Sequence, residues 1–351
     1  MILNTLQYTY DSVLIYPTIS TISSRFDDSQ CNPYLNGKLP IVSAPMKSIP
    51  SKQFAEATLD RIHCVFSHRF QSLLDQSDDI AQGMQPVCGL HTPKEVVQFH
   101  ISQGATHLLL DIANAYNTHV IAWLKQDWIQ DLRKQGVKLW VGNIATKEAY
   151  SRLASYCDYV RVGIGGGSAC TTRVNTGIGV GNLTSIVDCA DMKRKLEVQL
   201  SKAELNEDLP LIVADGGIKN PGDVCKALVA GADLVMIGRL FAGTYESASQ
   251  GLDHSMSFTD SYEEMVYKEY AGMASKIIAD EHKKDSKVSI EGASGLIKCS
   301  GSVTQFLDSL EGNLRSCMSY VNAHDLQGLK RANLAPVHPA VTMENAAHAF
   351  L

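Results

Sequence analysis

The sequence predicts an α/β fold, a (β/α)₈ barrel, and three observations carry that prediction. Short apolar runs recur eight times, at 40–44, 62–66, 85–90, 106–111, 138–142, 158–163, 210–215 and 233–238. Amphipathic stretches of helical length lie between many of them, as at 51–60, 93–103, 117–135, 147–156 and 220–230. Several runs are apolar without a break, such as Leu211-Ile212-Val213-Ala214 and Leu234-Val235-Met236-Ile237, as strands covered on both faces tend to be. Strands that alternate with helices pair in parallel through right-handed crossovers, and eight such units close a barrel. On pattern alone an open doubly wound sheet remains the alternative.

The eight units fall inside one expected domain spanning 1–351, with three additions. Residues 1–39 precede the first strand. The polar segment 251–300, with Asp280-Glu281-His282-Lys283-Lys284-Asp285, has the composition of a mobile surface flap, and a tail runs over 332–351. Hydrophobic residues make up 45% of the chain and charged ones 19%, which excludes disorder. Net charge is −6, from 31 basic and 37 acidic residues without a Lys/Arg block, so nucleic acid is not an expected partner. Met1-Ile2-Leu3-Asn4-Thr5 has neither the charge nor the apolar run of a signal peptide, and no apolar stretch approaches the roughly 20 residues that span a bilayer. The nine cysteines are scattered, without a C-x-x-C pair, which fits a reducing, cytoplasmic setting.

Barrel enzymes place their chemistry at the C-terminal ends of the strands. In chain order those ends read Ser43-Ala44-Pro45-Met46, Ser67-His68-Arg69, Asp111-Ile112-Ala113-Asn114, Gly142-Asn143, Gly163 through Arg173, Asp215-Gly216-Gly217 and Gly238-Arg239. The longest follows the sixth run: Gly163-Ile164-Gly165-Gly166-Gly167-Ser168-Ala169-Cys170-Thr171-Thr172-Arg173. It is no phosphate-binding Walker loop, and Ser168 stands where G-x-G-x-x-G needs its third glycine. Read alone, the glycines fit a flexible turn as well as a cradle where backbone approaches a ligand, and their carbonyls could hold a monovalent cation. Cys170 lies among free N–H groups, with Arg173 close in sequence, a setting that stabilises a thiolate; the other eight cysteines read as small core residues. Asp215 is placed to take a ribose diol, while the glycine N–H groups and Arg239 suit a phosphate. No H-E-x-x-H and no G-x-S-x-G occurs, which argues against a zinc site or a serine hydrolase.

These residues resemble the IMP dehydrogenase/GMP reductase family. The resemblance rests on Val162 through Arg173, Tyr10-Asp11-Ser12-Val13-Leu14-Ile15 with Ser24-Arg25, Ser43-Ala44-Pro45-Met46, Gly142-Asn143-Ile144-Ala145-Thr146, Ala214-Asp215-Gly216-Gly217-Ile218 and Tyr270-Ala271-Gly272-Met273-Ala274-Ser275, in order over about 8–325. It implies a homotetrameric barrel enzyme acting at purine carbon 2. Only 67–84 separates the second and third strands, so the regulatory domain usual in IMP dehydrogenases is absent there. Residues 276–300 hold no arginine or tyrosine to activate a hydrolytic water. Both absences point to the reductase branch, as do Ser67-His68-Arg69-Phe70-Gln71, Thr176-Gly177 and Glu291-Gly292. The resemblance implies reduction of GMP to IMP and ammonia, with NADPH as cofactor and potassium or another monovalent cation bound.

By the same resemblance Cys170, Thr172 and Glu291 are catalytic. Ser43, Met46, Ser168, Asp215, Gly216, Gly217, Gly238, Arg239, Gly272, Met273 and Gly292 bind substrate. The cofactor set is Ser24, Arg25, His68, Asp111, Ile112, Ala113, Ile164, Gly165, Arg315 and Ser316, and the cation set Gly165, Gly167, Cys170 and Arg173. Val288 and Ala274 depart from common reductase residues. An IMP dehydrogenase without its regulatory domain and an inactive nucleotide-binding barrel remain as alternatives.

Overall fold

The computed structural model describes residues 6–69, 73–205, 208–249, 251–252, 267–272, 275 and 292–338. Eight parallel strands form one sheet: β1 (Leu39–Ser43), β2 (Ile62–Cys64), β3 (Val87–Cys88), β4 (His107–Asp111), β5 (Lys138–Ile144), β6 (Tyr159–Val162), β7 (Leu211–Asp215) and β8 (Leu234–Ile237). The order is β2-β1-β8-β7-β6-β5-β4-β3. Its two ends meet: Phe66 bridges Gln85 in parallel, with Ser67 N–H donating to the Gln85 carbonyl (2.9 Å) and Gln85 N–H to that of Val65 (2.8 Å). The curled sheet is therefore a barrel, and each run read from the sequence supplies one strand.

The N-terminal half of the barrel is plugged by rings. Trp140 and Tyr159 stack at 3.7 Å, and His63 Nε2 lies 3.1 Å from the Tyr159 hydroxyl. Trp140 Nε1 donates to His107 Nδ1 at 2.8 Å. Burial, with the neighbouring His63, pulls the His107 pKa down to about 4, so the ring is neutral and accepts that bond.

Helices start where the sequence offers caps. Ser51 Oγ, Asn117 Oδ1, Thr146 Oγ1 and Asn220 Oδ1 each accept an N–H from the first turn of Lys52–Thr58, Thr118–Leu124, Lys147–Leu153 and Pro221–Val229. The expected helix over 117–135 is two helices, Thr118–Leu124 and Asp127–Lys134. No Pro or Gly marks the break; Gln130 Nε2 stabilises it by donating to the freed Leu124 carbonyl (2.6 Å). Asn182–Lys202 and Val303–Tyr320 are long helices outside the stretches read from the sequence.

The additions carry structure too. Val13–Tyr16 pairs antiparallel with Asn333–Pro336, so the tail begins as a strand rather than as loose chain. Gly251–Leu252, Tyr267–Ala271 and Ser294–Lys298 form an antiparallel sheet from the ends of the expected flap. Between them, 253–266, 273–274 and 276–291 lie outside the described residues, as does 339–351. Among the described residues no helix is long and apolar enough to cross a membrane.

Candidate active site

The mouth of the barrel holds a cavity of about 390 Å³, within the roughly 300–1,000 Å³ usual for small-molecule sites. Its floor is set by strand register. Asp111 on β4 pairs with Gly142 on β5, which pairs with Arg161 on β6. A Cβ on Gly142 would lie 2.4 Å from Arg161 Cβ, so the glycine leaves room for the arginine to pass. Arg161 Nη1 donates to Asp111 Oδ1 at 2.6 Å, and Nη2 to Asp215 Oδ2 at 2.8 Å. Burial works against the Arg161 charge, but the carboxylates of Asp215 and Asp111 outweigh it and leave the pKa above the ordinary arginine value. Asn143 Nδ2 donates to Asp215 Oδ2 (2.6 Å) and to the Gly163 carbonyl (2.8 Å), and Arg69 Nη1 to the Asp111 carbonyl (2.7 Å).

The cysteine loop forms one wall. Gly163 has φ +147, and a Cβ there would lie 2.0 Å from the Asp215 carbonyl oxygen. Gly166 packs directly on Asn182: a Cβ would meet its Oδ1 at 1.8 Å. Asn182 in turn donates to the Gly216 carbonyl (2.7 Å) and accepts from Arg173 Nη2 (2.9 Å), tying the loop to the turn after β7. Cys170 is partly exposed in the cavity, with Sγ 3.2 Å from Thr172 Oγ1. Arg173, expected beside the thiol, spends Nη2 on the carbonyls of Val180 and Ile164 and on Asn182. A guanidinium has no acceptor, so Arg173 could serve a cation only through its carbonyl, which already accepts from Gly177 N–H (3.2 Å). The Gly167 carbonyl accepts from Cys170 N–H at 3.0 Å.

A second wall, in contact with the cysteine loop, comes from Tyr267–Ala271. Lys268 anchors that strand: fully buried, its Nζ donates to the carbonyls of Thr244 (2.6 Å), Tyr245 (3.2 Å) and Ser247 (3.1 Å). Tyr270, on the same strand, has its hydroxyl 3.0 Å from Ser168 Oγ and 3.8 Å from Met46 Sδ. Burial raises the phenol's pKa, so it stays protonated. Ala293 N–H donates to the Ala169 carbonyl (2.8 Å), and Gly292 bridges Cys170. The chain at 292–293 thus lies against the cysteine loop.

Most of the residues expected at the site meet in this cavity: Met46, Asp111, Ile112, Ala113, Ile164, Gly165, Gly167, Ser168, Cys170, Thr172, Asp215, Gly216, Gly272 and Gly292 line it. Others do not. Ser43 is fully buried, its Oγ accepting from Phe66 N–H (2.9 Å) as a stitch between β1 and the chain after β2. His68 is buried off the lining. Gly217 sits behind Gly216 against Asn182 and Tyr10. Gly238 caps the short helix Arg239–Ala242 beside Met46, and Arg239 acts on the Tyr270 phenol from outside the lining. Ser24, Arg25, Arg315 and Ser316 gather where the N-terminal segment crosses Val303–Tyr320: Arg25 Nη1 donates to Ser316 Oγ (3.0 Å), and Arg315 Nη1 to the Arg25 carbonyl (3.3 Å). Met273 and Glu291 lie outside the described residues. Arg161, Asn182 and Tyr270 were given no role by the sequence; a charge inside the apolar run Tyr159-Val160-Arg161-Val162 was the available signal for the first.

Comparison with known proteins gives the family of the chain. The family described as IMP dehydrogenase / GMP reductase domain matches residues 87–348. An inosine-5'-monophosphate dehydrogenase of Methanocaldococcus jannaschii is 34% identical over 69% of this chain and 48% of its own length. GMP reductase 2 of Homo sapiens is 30% identical over 93% of each chain. A GMP reductase of Shewanella pealeana is 29% identical over 92% of each. The chain thus spans about half the length of the dehydrogenase and nearly all of the two reductases.

Proposed function

The chain belongs to the IMP dehydrogenase/GMP reductase family of oxidoreductases, and from that premise we propose that it converts GMP to IMP and ammonia with NADPH, in purine nucleotide salvage. The observation that carries the reading is the Cys170 thiol 3.2 Å from the Thr172 hydroxyl, inside a cavity walled by Asp215 and Gly216. Agreement with reductases along nearly their whole length supports the branch.

Asp215, its Oδ2 held by Arg161 and Asn143, offers Oδ1 to a ribose diol and fixes the purine over Cys170. The Cys170 thiolate adds to carbon 2, and the bond to the exocyclic amine breaks. An amide ion is too basic to leave, so a proton must reach the nitrogen; Thr172 relays it, with Glu291 as the acid behind it. This leaves a thioimidate between Cys170 and the purine. The chemistry of the wall fits a nicotinamide cofactor: Asp111 Oδ1 is bound to Arg161 while Oδ2 has, among the described residues, only Arg69 at 3.8 Å, an acceptor for a second ribose, beside Ile112 and Ala113. When bound, that cofactor supplies the hydride that reduces carbon 2. Cys170 then departs as thiolate and IMP is released.

The same reading makes the protein a cytoplasmic homotetramer with its barrel as one domain, and gives the loop carbonyls of Gly165, Gly167 and Cys170 a potassium ion. An IMP dehydrogenase without its regulatory domain is the second reading, favoured by identities of 34% and 39% to two dehydrogenases. One assay separates them: purified protein with GMP and NADPH, against IMP and NAD, followed at 340 nm. Consumption of NADPH with release of ammonia is expected; robust XMP formation from IMP overturns the reductase reading.

A further inference from the structure

Arg161 is the one group among the described residues that is hydrogen-bonded to both ribose-reading carboxylates. Its side chain is 7% exposed, and its planar fork reaches Asp111 Oδ1 at 2.6 Å with one end and Asp215 Oδ2 at 2.8 Å with the other; Nε adds a third bond to Asp215 at 3.3 Å. The guanidinium cannot turn towards one carboxylate without releasing the other, and a buried carboxylate stripped of its partner is costly. Gly142 enforces this geometry: any side chain there would meet Arg161 at its first carbon. Asp215 keeps Oδ1 for the cavity, and Asp111 keeps Oδ2, with Arg69 Nη1 at 3.8 Å from it.

We propose that Arg161 is a positioning residue that couples the two halves of the cavity, so that nucleotide bound at Asp215 raises the affinity for cofactor at Asp111, and the reverse. The inference rests on the function proposed above, which assigns the two carboxylates to two different ligands. A ribose that takes Asp215 Oδ1 fixes the carboxylate's torsion and excludes water from it. The same act fixes the guanidinium and, through it, Asp111. The second ligand then meets an ordered acceptor and does not bear that ordering cost, which is positive coupling without a change of fold. Thermodynamic reciprocity requires the same factor in both directions, and couplings of this kind run from about 5-fold to about 150-fold.

The test uses the full chain and two ligands that do not react together, GMP and NADP⁺, by titration calorimetry. Wild type is expected to bind each ligand about tenfold more tightly when saturated with the other. Arg161→Lys replaces the fork by a point charge that satisfies one carboxylate at a time. Its coupling factor should fall to within about twofold of unity, a larger change than in either single-ligand affinity. Asp111→Asn keeps Arg161 paired with Asp215, so that neither of those two ions is left without its partner if the lysine variant fails to fold, and by weakening the link on the cofactor side it should likewise lower the coupling factor. A wild-type factor near unity overturns the proposal. So does coupling that survives in the variants, which would arise from direct contact between the ligands. Wild type that binds neither GMP nor NADP⁺ overturns the functional reading, and the coupling with it.

Discussion

Replacing Gly163 by alanine tests how tightly the cysteine loop is built onto the turn that carries Asp215. The Cβ would sit 2.0 Å from the Asp215 carbonyl oxygen, a backbone atom that no rotamer change can move aside. Relief requires a shift of more than 1 Å, and overpacking of this kind costs about 1–3 kcal/mol. A φ of +147 adds about 1–2 kcal/mol for a residue with a side chain. The sum, about 2–5 kcal/mol, lowers the melting temperature by roughly 4–10 °C at about 2 °C per kcal/mol for a chain of this size. Moving Asp215 by an ångström should also cut kcat/KM for GMP by about 10²-fold. Gly37→Ala is the control: φ is +79 but nothing lies within 4 Å of its Cβ, so it carries backbone strain alone, about 1 kcal/mol. Differential scanning fluorimetry and initial rates on both variants decide the matter. A Gly163→Ala protein no less stable than Gly37→Ala, or one with wild-type kcat/KM, refutes the reasoning.

Other outcomes follow from the same geometry. Cys170→Ala should abolish turnover yet leave the Kd for GMP within about tenfold, because phosphate and ribose contacts remain; measurable steady-state turnover would remove the cysteine from its role. Glu291→Gln should lower the GMP reaction by roughly 10²–10⁴ and hydride exchange between IMP and NADP⁺ much less, since only the first needs a proton on ammonia; equal losses contradict an acid role. Tyr270→Phe removes a hydroxyl shared with Ser168 and should reduce kcat/KM by about 2- to 12-fold, the worth of one hydrogen bond of about 0.5–1.5 kcal/mol. His107 has its folded pKa depressed to about 4, so its stabilising contribution is complete above pH 6.5 and fades as pH falls towards 4. That contribution is about 3 kcal/mol, and thermal melts of His107→Gln should show a flatter slope than wild type between those pH values.

Legibility in the sequence divides along one physical line. Strands, their order and the small residues at their ends depend on near neighbours in the chain, so Leu211–Asp215 and Leu234–Ile237 could be read directly, and Cys170 stood out by its glycines. The break at Lys125-Gln126 could not, because a side chain five residues further along, Gln130, stabilises it. Nor could the sheet of Tyr267–Ala271 and Ser294–Lys298, whose partners are separated by a long polar stretch. Ser43 shows a related limit: it stands at a strand end, as the pattern expects, but register turns its hydroxyl to Phe66 N–H. Arg161 shows the limit best. In the chain it is a lone charge in an apolar strand; its meaning comes from standing two strands from Asp111 with a glycine between them, and one strand from β7, which carries Asp215. Parallel pairing from β4 to β7 converts three separate strand ends into one charged floor, and only register says which ends share it.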